Sequence, residues 1–130
     1  MNNIIEKKSF DFAVRIVNLY KYLIDNKKEF VMAKQLLRCG TSIGANVAEA
    51  EQAQSKADFI SKMNIALKET VETKYWIKLM HETGFLSDVE FDSIVPDCNE
   101  LNKILSSIIL SSKQQYDWID GRFSHCENQQ

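Results

Sequence analysis

Two histidines, His81 and His125, and three cysteines, Cys39, Cys98 and Cys126, are the side chains best suited to hold a metal or attack an electrophile. A zinc site needs close pairs such as C-x-x-C or H-x-x-x-H, and a di-iron bundle needs repeated E-x-x-H; neither spacing occurs. His81 falls at the end of a helical segment beside its apolar face, where capping or packing accounts for it. The pair His125-Cys126 sits in a polar tail without the two further ligands a metal requires. GTSIGAN, residues 40–46, lacks both the spacing and the preceding strand of a phosphate loop. The expectation is a protein that is not an enzyme and carries no cofactor or metal.

A different constellation stands out in RCGTSIGANVAEAE, residues 38–51. Arg38, Ser42, Asn46 and Glu49, spaced four, four and three, form one polar row on a helix. Beside them Gly40, Gly44, Ala45 and Ala48 make a surface with almost no side chains. Glycine inside a helix costs roughly 1 kcal/mol against alanine, so the stretch must gain from close approach of another helix. We read Gly40, Gly44, Ala45 and Ala48 as a close-packing seam and the polar row as structural. Arg38 is expected to bond to Ser42 and Asn46, and Glu49 to reach a lysine or backbone N–H groups.

Charge supplies a third candidate. The net charge is −2, but residues 1–40 hold eight Lys or Arg against four Asp or Glu, and the remainder holds eight against fourteen. Lys7, Lys8, Arg15, Lys21, Lys27 and Lys28, with Lys34 beyond them, form a basic strip that is a candidate nucleic-acid contact. The acidic remainder and a pI near 5.7 favour reading the strip as a solvated face.

These residues need elements to position them, and the hydrophobic pattern predicts four helices. The first, over residues 8–26, carries two stripes: Phe10, Ala13, Val17, Tyr20 and Ile24, and beside it Phe12, Ile16, Leu19 and Leu23. Together they cover about half the circumference, more than the ~100° one bundle face needs, so a second subunit is expected to cover the surplus, Leu19 included. The second helix, 31–53, places Leu36, Cys39, Gly40, Ile43, Val47 and Ala50 on one face. The third starts at an N-cap, Ser55, and stops at Gly84. Ser87 with Glu90 forms a capping box for the fourth, in which Pro96 predicts a kink or break.

Short connections make neighbouring helices antiparallel, so the expected fold is all-α, an up-down-up-down antiparallel four-helix bundle over residues 1–113, with 114–130 a tail or docking arm. At 45% hydrophobic and 26% charged residues the chain reads as an ordinary globular domain. An odd number of widely spaced cysteines favours free thiols in a reducing, cytoplasmic setting. No apolar run predicts a leader or a membrane span.

The run QLLRCGTSIGANVAEAEQAQSKADFISKMNIALKETVETKYWIKL resembles the signature region of a bacterial four-helix bundle family, which includes the 23S rRNA intervening-sequence proteins and the accessory variability protein of diversity-generating retroelements. The family pattern R-x-x-x-S-I-x-x-N-[IV]-A-E is matched by Arg38, Ser42, Ile43, Asn46, Val47, Ala48 and Glu49, followed by Phe59, Ala66, Leu67 and Glu69. Gly44 stands where many members carry proline, and Ala50 where many carry glycine. The resemblance implies a homopentameric ring with a central channel and no known enzymatic activity. Its retroelement member looks like an adaptor that binds reverse transcriptase and RNA through a basic surface. Two functions are therefore expected as alternatives: a non-catalytic homo-oligomeric scaffold or adaptor binding a protein partner, or an RNA- or DNA-binding module using the basic N-terminal helix and ring surface.

Overall fold

A computed structural model of the chain describes residues 3–119, with side chains described for residues 4–114. Four helices account for nearly all of it: α1 Asn3–Asp25, α2 Val31–Ala50, α3 Lys56–Glu82 and α4 Asp88–Ile119. Each packs along its sequence neighbour and α4 closes back on α1. This is the up-down four-helix bundle that short connections require. α4 runs through residue 113, so the expected boundary between bundle and tail falls inside a helix. His125 and Cys126 lie outside the described residues.

Local chemistry explains where the helices start and stop. Ser55 Oγ accepts from the Asp58 N–H at 3.0 Å, and Asp58 Oδ2 accepts from the Gln54 N–H at 3.2 Å, closing both ends of a cap on α3. Gly84 ends that helix at φ +87°, a left-handed conformation natural to glycine, and the Leu86 N–H returns to the Met80 carbonyl at 3.2 Å. The Ser87–Glu90 capping box is reciprocal: the Ser87 N–H donates to Glu90 Oε1 at 2.7 Å, and the Glu90 N–H to Ser87 Oγ at 3.1 Å. α2 has no capping side chain at Phe30; Glu29 Oε2 accepts the Ala33 N–H instead, at 2.9 Å. Pro96 does not break α4, which continues unbroken around it. The proline sits on the exposed side, where the carbonyl its missing N–H leaves free can be hydrated.

The core joins Ile5, Phe12, Ile16 and Leu23 of α1 to Leu36, Ile43 and Val47 of α2, Met63, Ile77 and Met80 of α3, and Leu101 and Leu105 of α4. All six expected face residues of α2 are buried, with Ala33 in addition. The second expected stripe of α1 supplies the buried Phe12, Ile16 and Leu23, and Tyr20 and Ile24 of the first pack against the core half-buried. The first is half-buried or exposed, with Phe10 at 68% exposure.

α1 and α2 approach each other closely at two glycines. A Cβ on Gly40 would lie 2.8 Å from both Cγ1 and Cγ2 of fully buried Ile16, and one on Gly44 would lie 3.2 Å from the Ser9 carbonyl oxygen. Ile16 is β-branched and stiff about χ1, so it cannot swing aside cheaply.

Gly40→Ala is therefore expected to destabilise the protein by on the order of 1 kcal/mol, because overpacking of about 1–3 kcal/mol exceeds the helix propensity gained. A raised urea midpoint for this variant would show that α1 and α2 can separate freely. A second expectation concerns pH. The Ser87 N–H bond holds the Glu90 carboxyl below its ordinary 4.5, so this cap contributes fully above that value and fades as pH falls through the depressed one. Wild type and Glu90→Gln should differ in stability more near pH 7 than at about pH 3; an equal difference at both would exclude a role for the charge.

Candidate functional site

The polar row on α2 leads to an ion cluster between α2 and α3. Arg38 Nη1 donates to Glu69 Oε2 at 3.3 Å and Nη2 to Glu72 Oε2, while Nε and Nη2 each reach Gln35 Oε1 at 3.4 Å. Trp76 Nε1 donates to the same Glu72 oxygen at 3.0 Å. These partners correct the expectation that Arg38 bonds to Ser42 and Asn46. Arg38 lies on the flank of α2 that faces α3, and a guanidinium has a stronger partner in two carboxylates than in a hydroxyl and an amide. Asn46 Nδ2 donates to the Ser42 backbone carbonyl at 2.8 Å, and Glu49 pairs with Lys62 of α3 at 3.2 Å. Glu49 thus reaches a lysine, and the whole row borders the α2–α3 seam.

This cluster ties helices together and offers no reactive group. Both carboxylates are committed to Arg38. Burial pushes the neighbouring Cys39 thiol up from its ordinary value, which keeps it protonated, and Cys98 is pushed up to about 12 by the same cause. Both thiols are free, and Cys98 Sγ donates to the Thr70 carbonyl at 3.4 Å. His81 stacks on Phe91, centroids 4.1 Å apart, with Nε2 2.7 Å from Asp88 Oδ1, so it pins the α3–α4 corner. Among the described residues no three His, Cys, Asp or Glu side chains converge as a metal site, and no helix is long and apolar enough to cross a membrane.

The small-residue seam divides. Gly40 and Gly44 face α1 inside the chain, whereas Ala45 and Ala48 are exposed. They belong to an outer α1–α2 face with Phe10 and Val14, which are 68% and 46% exposed, and with half-buried Ala13, Val17, Leu37 and Thr41. Leu19 is not on that face. It packs against the core and lines a cleft beside α4, because α1 turns that side inward.

The basic strip is largely taken up. Lys7 pairs with Asp11 at 2.9 Å and Lys8 with Glu100 at 3.1 Å. Arg15 binds Asp97 at 2.6 Å together with the Ser93 carbonyl and hydroxyl. Lys21, Lys27 and Lys28 have no carboxylate within ion-pairing distance among the described residues, though Lys27 lies 6.0 Å from the Tyr22 ring centroid and its charge helps hold Glu90 ionised. Lys28 has φ +56° in the α1–α2 connection. Sequence reasoning missed Glu69 and Glu72 as the partners of Arg38 and Trp76 as the donor that backs Glu72; their three-residue and four-residue spacing on α3 was the available signal.

Arg38→Met should cost about 1–2 kcal/mol, since it leaves Glu69, only 18% exposed, without its cation, with solvent moderating the loss. Glu49→Gln should cost less than about 0.5 kcal/mol, because that pair is 58% exposed on the glutamate side. Urea melts that returned equal losses would contradict this division between a shielded cluster and a surface pair.

Comparison with known proteins places the chain among relatives. A crystal structure at 1.70 Å of a protein of unknown function from the S23 ribosomal protein family of Bacteroides thetaiotaomicron superposes with a TM-score of 0.80. The two are 60% identical, and the match covers 81% of this chain and 97% of that one. No curated protein shows significant similarity. The family model described as 23S rRNA-intervening sequence protein matches residues 1–107, the helices and seams laid out above. The chain belongs to the 23S rRNA-intervening sequence protein family.

Proposed function

We propose that this protein is a non-catalytic scaffold that assembles with copies of itself into a closed ring, a pentamer by family resemblance, and holds a protein partner on the assembled surface. The observation that carries the reading is the outer α1–α2 face. Phe10 and Val14 stand exposed beside the short side chains Thr41, Ala45 and Ala48, so an apolar ridge adjoins a shallow, smooth flank. Exposed apolar surface of this kind, continuous across two helices, supports contact with another protein surface. Ring closure joins unlike faces of successive copies, so this face meets a different surface of its neighbour. The cytoplasm suits the two free thiols.

The alternative nucleic-acid reading is narrowed to the end of α1. Carboxylates hold Lys7, Lys8 and Arg15, which leaves Lys21, Lys27 and Lys28 to meet phosphate. Three cations at one helix end give a weak and strongly salt-dependent hold.

Light scattering at micromolar concentration should return a multiple of the 15.0 kDa chain mass, about five-fold for the pentamer. Phe10→Glu should dissociate it to monomers that keep their helical circular dichroism. A 15 kDa wild-type mass would overturn the reading. Retention on an RNA column that weakens steeply with salt and disappears on replacing Lys21, Lys27 and Lys28 would favour the alternative.

A further inference from the structure

On the side of the bundle opposite the α1–α2 face, α3 and α4 line an open groove of about 660 Å³. Buried Thr70 of α3 and Cys98 of α4 lie at its base, and along its α3 wall runs an apolar row, Val71, Tyr75 and Leu79, at the i, i+4, i+8 spacing that follows one helix side for about 12 Å. Val71 and Tyr75 are each 57% exposed. Around that row stand Lys74 and Lys78 from α3 and the amides of Asn99 and Asn102 from α4.

This groove differs from the other seams in what is left unused. Elsewhere the charged groups between helices have found partners: Arg38 with Glu69 and Glu72, Arg15 with Asp97, Lys8 with Glu100, Lys62 with Glu49. Among the described residues neither Lys74 nor Lys78 has a carboxylate within ion-pairing distance, and neither Asn99 nor Asn102 has a side-chain hydrogen bond. The one acid lining the groove, Glu82, lies a turn beyond Lys78, at one end.

We propose that the groove receives an amphipathic α-helix of a partner protein, with carboxylates flanking its apolar stripe. A trough between two antiparallel helices with an apolar i, i+4, i+8 row along one wall is a surface into which a third helix packs ridge into groove. Paired, unneutralised lysines along it select carboxylates and repel a basic stripe. Glu82 sets direction, since the positive end of a helix dipole is stabilised beside a carboxylate. The partner helix therefore lies with its N-terminus toward Glu82, antiparallel to α3. Asn99 and Asn102 supply hydrogen bonds on the α4 side. The site lies on α3 and α4, apart from the α1–α2 face on which the proposed assembly rests.

The test uses the full chain and fluorescein-labelled synthetic helical peptides of about 20 residues. One carries a Leu/Phe stripe flanked by Glu, a second the same stripe flanked by Lys, and a third the first composition scrambled. Fluorescence anisotropy should show saturable binding of the Glu peptide only, at least tenfold weaker for the Lys and scrambled peptides. Lys74→Glu with Lys78→Glu, and separately Tyr75→Ala, should each weaken it at least tenfold while circular dichroism stays unchanged. Phe10→Glu should leave peptide binding intact, which separates this site from assembly. Equal binding of the Glu and Lys peptides, or indifference to the groove substitutions, would overturn the proposal. So would binding of a single-stranded oligouridine in place of the peptide, lost in the same variants, which would make the groove a nucleic-acid site. Dissociation of the oligomer by Tyr75→Ala would also overturn it by making the groove a contact between copies.

Discussion

The contact between Gly40 and Ile16 governs how the rest of the bundle is arranged. With Ile16 carbons 2.8 Å from where a Cβ would stand, α2 can lie against α1 only because that position has none. One turn on, Gly44 repeats the approach over the backbone of Ser9. Each glycine gives up about 1 kcal/mol of helix propensity, and continuous dispersion contact along the seam offsets it. The closeness also shapes the outside. With no ridge of long side chains at Gly40 and Gly44, the exposed Phe10 and Val14 of α1 and the short Thr41, Ala45 and Ala48 of α2 fall on the same outer side of the seam.

The remaining seams are held by different means. Between α2 and α3, Arg38 spans to two glutamates and Glu49 to Lys62. Between α1 and α4, Arg15 and Lys8 cross to Asp97 and Glu100 at the rim of a shallow cleft. These pairs sit at the wet edges of seams whose interiors are apolar, where desolvation is modest and a charge-assisted bond still orients one helix against the next. The α3–α4 seam is closed at its corner by His81, Asp88 and Phe91 and in its middle by the Cys98 thiol on the Thr70 carbonyl, and above that it opens. Among the described residues the distribution of ties leaves an apolar surface on α1–α2 and a lysine-rimmed groove on α3–α4 without intramolecular partners.

That distribution bears directly on function. A count of lysines along α1 implies a basic strip, but acids on α1 itself and on α4 neutralise half of its six leading candidates. The potential of a surface depends on which charges lie beside each other in space, and α4 brings its acids to α1 from more than eighty residues away in the chain. The adaptor reading rests on apolar surface rather than on charge, and so survives this pairing.

The sequence by itself determined the four helices, the caps at Ser55 and Ser87, the stop at Gly84, the buried face of α2 and the family. All of these depend on interactions within about four residues or on a 3.6-residue period, which a linear string records directly. Only the tertiary structure decided that Arg38 meets Glu69 and Glu72, 31 and 34 residues away, rather than its neighbours Ser42 and Asn46. Only it divided the small residues into Gly40 and Gly44 facing α1 and Ala45 and Ala48 facing outward, and turned Leu19 inward. The physical reason is that helical periodicity gives the angle at which a side chain leaves its helix but says nothing of which helix, or water, lies at that angle. The answer depends on the axial shift and rotation of each helix against its neighbours, which packing of the whole core decides at once.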